Sequence, residues 1–526
     1  MSRRREYGDF QTPPELARAA LATLGPIRRR WTRVLEPTCG TGSFLIAAIQ
    51  PDRAPRELIG IDIDPAHCEA ARSALLGCPD CSVRILESSV FALDLGRDLP
   101  WTKDGPLLVV GNPPWVTSAA LGRLESGNRP GRRNVKSLPG LAAQTGASNY
   151  DLGEAVWLKL IEDLADERPT IALLCKTAVA RAVLDEVQRR GLKVATASLH
   201  EIDAARWFGA SVRACFFRMT LGAGATTIRV PVFARLEDVS PREVMEFHRG
   251  RLIADAKALR PFAFALGASP LCWRQGIKHD AAPVMELRGE PCEGPLRNQH
   301  GEEVDVEPEH VYPLLKGADL RRPSTERPRR AVIVTQHRLG EPTEDLATRA
   351  PRLWAYLQRH AGFFASRKSS IYRGHPPFSL FGVGPYTFAP WKVAVAGLHC
   401  PALFRAVGPV GGRPVLVDDT CYLLPCDSAA EAAVLAALCN HRACLGLVAA
   451  LSFPGSKRHV TKGLLQRLDL SAILKRADRT ELIDRSSSIL AELTGPAIEP
   501  ITAIADEIDR LKQRFSQAAA AQGRTP

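Results

Sequence analysis

Short apolar runs recur through the first 222 residues, separated by stretches in which apolar residues return every three or four positions. The runs predict buried strands at 34–35, 58–63, 83–86, 107–110, 171–175, 194–199 and 212–221. The intervening stretches predict amphipathic helices at 43–50, 65–76, 152–165 and 178–190. Alternating strands and helices are typical of a doubly wound, mostly parallel α/β sheet. Such a sheet binds ligands at the carboxyl ends of its strands.

The predicted strand at 107–110 leads into the tetrapeptide Asn112-Pro113-Pro114-Trp115. Consecutive prolines fix two φ angles and hold the backbone rigidly where the strand ends. The Asn112 side-chain carbonyl and a proline carbonyl can each accept one N–H bond of an exocyclic amine. The Trp115 ring can stack on the base that carries this amine. The tetrapeptide therefore indicates a site for a planar amine, and the alternative is a turn in which the tryptophan has no role.

Two further strand ends carry features of a nucleoside site. The first predicted strand runs into the loop 36–43, where Gly40 and Gly42 let the chain turn closely beneath a ligand. The next strand ends at Asp62, which is placed to accept ribose hydroxyls, whereas Asp64 is placed to cap the following helix. The loop lacks the third glycine of the dinucleotide fingerprint, and no phosphate-binding lysine follows it. We therefore expect S-adenosylmethionine rather than NAD as the cofactor.

Composition and charge narrow the class of protein. A chain of 526 residues, 45% hydrophobic and 24% charged, predicts two or three globular domains. No apolar run reaches the length of a membrane span, and no secretory signal is visible, so we expect a cytoplasmic protein. The 13 cysteines are scattered, and we interpret Cys78 and Cys81 as a turn rather than a metal site. The net charge of +12 favours an anionic partner.

The order of these motifs resembles that of the gamma-class, TaqI-like N6-adenine DNA methyltransferases of restriction–modification and defence systems. The matching features are Phe10-Gln11-Thr12-Pro13-Pro14, the glycine loop, Asp62, and the Asn112–Trp115 tetrapeptide. The layout covers essentially the whole chain, and the match is motif by motif through about residue 220. The resemblance implies a class I, Rossmann-like methyltransferase fold that uses S-adenosylmethionine. A mixed α+β target-recognition domain is expected to follow it.

The same resemblance implies a role for each motif. It places cofactor contacts at Thr12, Glu36, Pro37, Gly40, Gly42, Asp62, Glu87 and Asn112. The tetrapeptide grips the adenine amine through Asn112, Pro113 and Pro114, while Trp115 and Phe208 stack on the two faces of the flipped base. The stretch Asn149-Tyr150-Asp151 resembles the family's short motif that opens the next helix.

This chain departs from the family pattern at two positions. The family usually has Tyr or Phe where this chain has Trp115, a larger ring that should still stack. The family also often has an acid after the third strand, in contact with the cofactor adenine. Here Ser88 and Ser89 stand at that place, so Glu87 or a backbone amide is the expected substitute.

We predict three parts in the chain: a catalytic domain at 1–222, a DNA-binding target-recognition domain at 223–475, and a C-terminal helical segment with a frayed tail at 476–526. In the last part, an amphipathic helix is expected to dock on its own chain, which predicts a monomer; its apolar residues are Ile501, Ile504, Ile508, Leu511 and Phe515. Basic side chains are candidate DNA contacts, with a solvated surface as the alternative: Arg129, Arg132, Arg133, Lys136, Arg367, Lys368, Lys457 and Arg458.

The function implied is methyl transfer from S-adenosylmethionine to the N6 amine of an adenine in duplex DNA. The amine cannot be reached inside a duplex, so the base must be flipped out. Other targets remain open, namely cytosine N4, an RNA base or a protein glutamine, as does a non-catalytic DNA-binding subunit of a defence complex. The 10–14 stretch lies close to the start of this sequence. We therefore expect any cognate restriction endonuclease or defence-complex subunit to be a separate chain.

Overall fold

The chain folds into two compact units, Met1–Lys257 and Ala258–Pro526. The computed structural model describes residues 11–27, 29–49, 55–76, 81–116, 151–224, 228–248, 250–291, 294–322, 328–453, 456, 458–495 and 500–521. Several predicted features lie outside these ranges: Phe10, Cys78, Arg129, Arg132, Arg133, Lys136, Asn149, Tyr150, Lys457 and the last residues of the tail.

A ten-stranded sheet forms the centre of the first unit. Its strands are β1 (Arg33–Glu36), β2 (Glu57–Asp62), β3 (Ser82–Glu87), β4 (Leu107–Gly111), β5 (Thr170–Lys176), β6 (Val194–Ile202), β7 (Ala214–Leu221), β8 (Arg229–Phe233), β9 (Glu243–His248) and β10 (Arg251–Ile253). They lie in the order β10-β9-β8-β6-β7-β5-β4-β1-β2-β3. The five strands from β3 to β5 are parallel, and β7 lies antiparallel between β5 and β6. The predicted α/β sheet with parallel central strands is confirmed.

Helices of the described residues precede or follow these strands along the chain. They are α1 (Pro14–Ala22), α2 (Ser43–Ala48), α3 (Pro65–Ala74), α4 (Leu152–Asp163), α5 (Thr177–Arg189) and α6 (Ala204–Phe208). The four from α2 to α5 match the four predicted helices. Asp64 caps α3 by accepting a hydrogen bond from the Ala66 amide at 2.9 Å, which confirms its predicted role. Strands β1 and β4 are buried along their whole length, which explains why they read as unbroken apolar runs.

The first unit extends beyond the boundary predicted at residues 222 and 223. Strand β8 pairs in parallel with β6, and β9 and β10 follow it as antiparallel neighbours. The chain after residue 222 therefore continues the same sheet, because its main-chain groups find their hydrogen-bond partners there. The division between the units falls after Lys257.

Two four-stranded sheets and a set of helices make up the second unit. The sheets have the orders β11-β18-β15-β16 and β12-β14-β13-β17. The strands are β11 (Arg274–Gln275), β12 (Glu286–Arg288), β13 (Val311–Leu315), β14 (Arg330–Ile333), β15 (Trp391–Ala396), β16 (Phe404–Val407), β17 (Leu416–Val417) and β18 (Cys421–Cys426). All pairs are antiparallel except β13 with β17. The unit is thus a mixed α+β structure.

The helices of this part begin with α7 (Ala256–Leu259), which spans the division between the units. The others are α8 (Ala282–Met285), α9 (Leu346–Arg349), α10 (Pro351–Arg359), α11 (Ala361–Ala365), α12 (Ala429–Cys439), α13 (Arg442–Leu451), α14 (Lys462–Leu465), α15 (Leu470–Arg476), α16 (Arg479–Thr494) and α17 (Pro500–Ala521). Short 3-10 helices lie at Arg260–Ala265, Pro308–His310, Asp319–Arg321, Ser370–Tyr372 and Pro385–Phe388.

The C-terminal helices pack on the second unit and are part of it. Helix α17 contacts α12 and α16, and α16 contacts α12. Of the predicted apolar residues of α17, Ile504, Ile508, Leu511 and Phe515 are buried, as expected. Ile501 is 61% exposed, so the buried stripe of the helix begins at Ile504 rather than at Ile501.

Among the described residues, no single helix is long and apolar enough to cross a membrane. The consecutive helices α12 and α13 pass the same test only as a pair, which is bent by 59°.

Candidate active site

The carboxyl ends of four adjacent strands, β3, β2, β1 and β4, open onto a cavity of about 330 Å³. This volume falls within the range of small-molecule sites. The cavity is lined by Gln11, Thr12, Glu36, Pro37, Thr38, Cys39, Gly40, Ser43, Asp62, Ile63, Asp64, Pro65, His67, Ser88, Ser89, Val90, Phe91, Asn112, Pro114, Leu152 and Val156. Three of these lining residues are acids and none is Lys or Arg. The lining therefore suits a cationic ligand better than a phosphate.

The glycine loop after β1 turns through two left-handed residues. Gly40 has a φ of +50° and Gly42 a φ of +84°. A Cβ atom on Gly40 would lie 2.6 Å from the Gln11 side-chain oxygen, which itself accepts hydrogen bonds from the Thr41 amide and hydroxyl, both at 3.2 Å. A Cβ atom on Gly42 would lie 3.3 Å from Ala71 of α3. Gly42 therefore provides the turn and close packing but does not line the cavity.

The segment before α1 is tied to this loop. The Ser43 hydroxyl donates to the Thr12 carbonyl at 2.7 Å, and the Thr12 side chain is buried. Gln11 makes the second connection, through Thr41. Thr12 is one of the predicted cofactor contacts, whereas Gln11, its neighbour in the same motif, was not predicted to line the site.

Two predicted acids lie at the ends of β1 and β2. Glu36 is buried, and its Oε2 accepts a hydrogen bond from the Leu45 amide at 3.2 Å. Burial raises the pKa of Glu36 well above its usual value, and the Asp62 carboxylate raises it further. Asp62 accepts hydrogen bonds from the amides of Gly40 at 2.8 Å and Asp64 at 2.9 Å. Asp62 therefore orders the glycine loop from the neighbouring strand.

Glu87 is not brought to the cavity. Its side chain is exposed at the end of β3, while Ser88 and Ser89 line the cavity. Successive residues of an extended chain point to opposite sides, so Ser88 points away from the side that Glu87 takes. The Ser88 amide is held by the Asp62 carbonyl at 2.9 Å. Two serines therefore occupy the place where Glu87 was expected.

The tetrapeptide after β4 contributes Asn112 and Pro114 to the cavity lining. Trp115 does not line it; this ring is buried and meets Phe208 of α6 edge-to-face, with ring centres 5.1 Å apart and planes at 71°. The two aromatics predicted to stack on one base are thus together. Two rings that enclose a base stand about 7 Å apart, twice the contact separation of roughly 3.5 Å. The observed pair, with ring centres 5.1 Å apart, therefore leaves no room for a base between the rings.

Lys176, at the end of β5, lies behind the cavity wall and was not predicted from the sequence. Its Nζ donates to the Trp115 carbonyl at 2.8 Å and to the Asp151 carboxylate at 2.6 Å. Asp151 also accepts from the Gly153 amide and caps α4, so the predicted helix start at Asp151 is confirmed. Burial raises the pKa of Asp151, and the Lys176 charge opposes this rise. Lys176 ends an otherwise apolar strand, and this feature of the sequence could have identified it.

Two further lining residues were not selected from the sequence. The Thr38 hydroxyl is buried and has no hydrogen-bond partner among the described residues. His67 of α3 has its Nδ1 3.6 Å from the Asp62 carboxylate. Thr38 and His67 lie two or three positions from Gly40 and Asp64 in the sequence. This proximity could have identified both as candidate lining residues.

Two of the predicted DNA contacts in the second unit are engaged within that unit. Arg367 donates to the carbonyls of Phe364 at 3.1 Å and Ser379 at 2.8 Å, and its guanidinium lies 3.7 Å from the ring centre of Tyr372. Arg458 donates to the carbonyl and carboxylate of Asp419. These donors are used by the protein itself, so both arginines help to hold the local structure of the second unit. Lys368 is exposed.

Comparison with known proteins yields one relative that matches nearly the whole chain. The type II methyltransferase M.NspV of Nostoc sp. (strain ATCC 29411 / PCC 7524) is 33% identical over 471 residues, which are 89% of this chain and 97% of the relative. The type II methyltransferase M.CvrRI of Paramecium bursaria Chlorella virus XZ-6E is 30% identical over 115 residues, 22% of this chain and 26% of its own. None of the protein-family models searched matches the chain.

Among solved structures, the type IIL restriction–modification enzyme MmeI, in complex with DNA, aligns with a TM-score of 0.52 at 12% identity. The alignment covers 97% of this chain and 73% of MmeI, and at this identity it shows a shared fold. The extent of the M.NspV match goes further, because it spans both units. The chain belongs to the type II methyltransferase family of restriction–modification systems.

Proposed function

We propose that this protein transfers the methyl group of S-adenosylmethionine to the N6 amine of an adenine flipped out of duplex DNA, in the manner of the gamma-class enzymes. One observation carries this proposal above all. Asn112 and Pro114, which suit an exocyclic amine, line the same cavity as the acids Glu36 and Asp62 and the glycine loop. An amine acceptor and a nucleoside site at adjacent strand ends are what methyl transfer to a base amine needs.

The lining residues fit S-adenosylmethionine. The carboxylates of Glu36 and Asp62 suit its cationic amino acid part and its ribose hydroxyls, and no lysine or arginine of the lining calls for a phosphate. The buried Thr38 hydroxyl offers a further hydrogen bond to it. When bound, this cofactor would supply a methyl group on a sulfonium; transfer to the amine forms the N–C bond, breaks the S–C bond to leave a neutral thioether, and releases one amine proton.

The residues of this chain prepare the amine for that attack. The lone pair of an adenine amine is conjugated into its ring, so the amine is a poor nucleophile. The side-chain carbonyl of Asn112 and the main-chain carbonyl of Pro113 accept its two N–H bonds and favour a tetrahedral nitrogen. Trp115 and Phe208 hold the ring on its faces. Positioning and electrostatics thus supply the catalysis, without a covalent intermediate.

We propose that the second unit recognises duplex DNA. The net charge of +12 suits a polyanion, and exposed Lys368 is available for a phosphate. MmeI, which shares the fold, was solved with DNA bound. Phosphate contacts hold a protein in register on the duplex, while contacts in the grooves select its sequence.

The test is direct chemistry with the purified protein. Plasmid DNA that carries no methylation is incubated with radiolabelled S-adenosylmethionine, digested to nucleosides and separated by chromatography. The proposal predicts label in N6-methyladenosine of the deoxy series. Label in N4-methylcytosine, or in RNA but not in DNA, would refute the proposed target.

A further inference from the structure

Three elements of the first unit converge on the ammonium group of Lys176. The group donates to the main-chain carbonyl of Trp115 at 2.8 Å, at the end of the tetrapeptide after β4. It also donates to Asp151 Oδ2 at 2.6 Å. The other Asp151 oxygen accepts from the Gly153 amide at 3.1 Å and so fixes the first turn of α4. One side chain therefore links the tetrapeptide, the start of α4 and the end of β5.

The ion pair at this junction is largely shielded from water. The exposed fractions of the Lys176 and Asp151 side chains are 22% and 12%. Beside the pair, the Leu152 amide donates to the Val116 carbonyl at 2.8 Å. A shielded pair with further hydrogen bonds holds a fixed geometry better than a surface pair does. Loss of the lysine would leave a carboxylate and a carbonyl without their donor.

The junction joins two walls of the cofactor cavity. Asn112 and Pro114 line it from the tetrapeptide, and Leu152 and Val156 line it from α4. Lys176 is not among the lining residues, so it acts on the cavity through these two elements.

We propose that Lys176, together with Asp151, is a positioning residue for methyl transfer. The pair fixes the Trp115 carbonyl against α4 and thereby sets where Asn112 stands relative to the cofactor. This role rests on the proposed function, because it assumes that Asn112 holds the reacting amine. A displacement of about 1 Å in such a group can lower the rate about 100-fold.

The test uses the full-length protein and three variants. Lys176→Met removes the ammonium at similar length, and Lys176→Arg retains a cation that can donate to both acceptors. Lys159→Met is the matched control, because Lys159 and Asp163 form a pair of the same kind in the same helix, at 2.6 Å and with exposed fractions of 17% and 18%.

The expected result is a loss in kcat with little change in substrate binding. Lys176→Met should lower kcat by about 10- to 100-fold, while KM for DNA and Kd for S-adenosylmethionine stay within about threefold. Lys176→Arg should recover most of the loss, and Lys159→Met should leave kcat unchanged. An unchanged kcat in Lys176→Met, or an equal loss in Lys159→Met, would overturn the positioning role.

Hydrogen exchange of the peptide that covers residues 107–116 provides a readout that does not depend on activity. Exchange should be faster in Lys176→Met than in wild type and should be unchanged in Lys159→Met. If wild-type protein methylates no DNA, the proposed function fails, and this exchange result still decides whether Lys176 fixes the tetrapeptide. Equal exchange in wild type and Lys176→Met would overturn the inference.

Discussion

The Phe208→Leu variant tests two interactions of the Phe208 ring: its contact with Trp115 and its proposed stacking on the flipped base. In the structure, Phe208 and Trp115 are in edge-to-face contact at 5.1 Å. A base can enter between them only if this contact opens, because two rings that enclose a base stand about 7 Å apart. The aromatic contact contributes roughly 0.5–1.5 kcal/mol, and stacking of a base on an aromatic side chain contributes roughly 1–3 kcal/mol.

In the Phe208→Leu variant, the free energies of base stacking and of the ring–ring contact change transition-state binding in opposite directions. The flipped base loses stacking on one face, at a cost of about 2 kcal/mol, but the ring pair no longer has to open, which returns about 1 kcal/mol. The net loss of about 1 kcal/mol predicts a kcat/KM roughly fivefold lower than that of wild type. Trp115→Ala should lose more, because it also removes a buried ring from the core.

The assay is methyl transfer to a short duplex that contains the recognition site, with kcat/KM as the readout. A second duplex carries 2-aminopurine at the target position, so its fluorescence rises when the base leaves the stack. Trp207→Leu is the matched control, since Trp207 is the adjacent ring in α6 and packs against the same core. A kcat/KM of Phe208→Leu within about 1.5-fold of wild type, or a loss of about 100-fold, would refute the two-term reasoning.

Three further predictions concern the cofactor loop, a buried lysine and the DNA contacts. Asp62→Ala removes the acceptor of the Gly40 amide, and a hydrogen bond to a charged group contributes roughly 1.5–3 kcal/mol. The Kd for S-adenosylmethionine, measured by titration calorimetry, should therefore rise about 10- to 100-fold. An unchanged Kd would contradict the role of Asp62 in ordering the loop. Burial lowers the pKa of Lys392 from 10.5 to about 7, so the unfolded chain binds more protons between these values. The free energy of unfolding should therefore rise with pH from about 7 towards 10 more steeply in wild type than in Lys392→Met, as measured by urea unfolding, and parallel pH profiles would contradict this. Lys368→Ala should reduce the slope of log Kd for DNA against log salt concentration by about one and leave Tm unchanged. Arg367→Ala should lower Tm, because it removes hydrogen bonds to main-chain carbonyls. The reverse pattern would contradict a DNA contact at Lys368 and a structural role for Arg367.

The strands of the first unit could be predicted because most are buried on both faces. Such strands read as continuous apolar runs, and β1 and β4 are buried at every position. Strands β8, β9 and β10 escaped prediction because none of them forms an unbroken apolar run: buried residues alternate with partly exposed ones in β8 and β9, and β10 is only three residues long. Pro231 also lies inside β8, and a proline within an apolar stretch argues against a central strand, although β8 pairs with β6 on one side and β9 on the other.

The cavity lining was predictable where it follows a strand end and less so where it depends on register. Asn112, Glu36 and Asp62 all stand directly after apolar runs, at the edge where a parallel sheet binds its ligands. Glu87 failed because a shift of a single residue along an extended chain exchanges its two sides, and Ser88 faces the cavity instead.

Contacts between distant residues left little trace in the sequence. Lys176 and Arg367 both carry a positive charge. The sequence around them does not show whether their N–H groups face solvent or donate to a carbonyl of the protein. The structure gives Lys176 a carboxylate and a carbonyl, and it gives Arg367 main-chain carbonyls. Only folding brings these partners together, so the roles of both residues emerged from the structure.

Adenine methylation by this protein can be read from the DNA of a methylation-free bacterial host that expresses either the wild-type protein or Asn112→Ala. Long-read sequencing scores modified bases across the whole genome, so it finds the recognition site and the modified base in the same experiment. We expect N6-methyladenine in one sequence context with wild type and none with Asn112→Ala, both proteins being soluble. Unmodified DNA from cells with soluble, cofactor-binding wild-type protein, or methylation that survives in Asn112→Ala, would contradict this expectation.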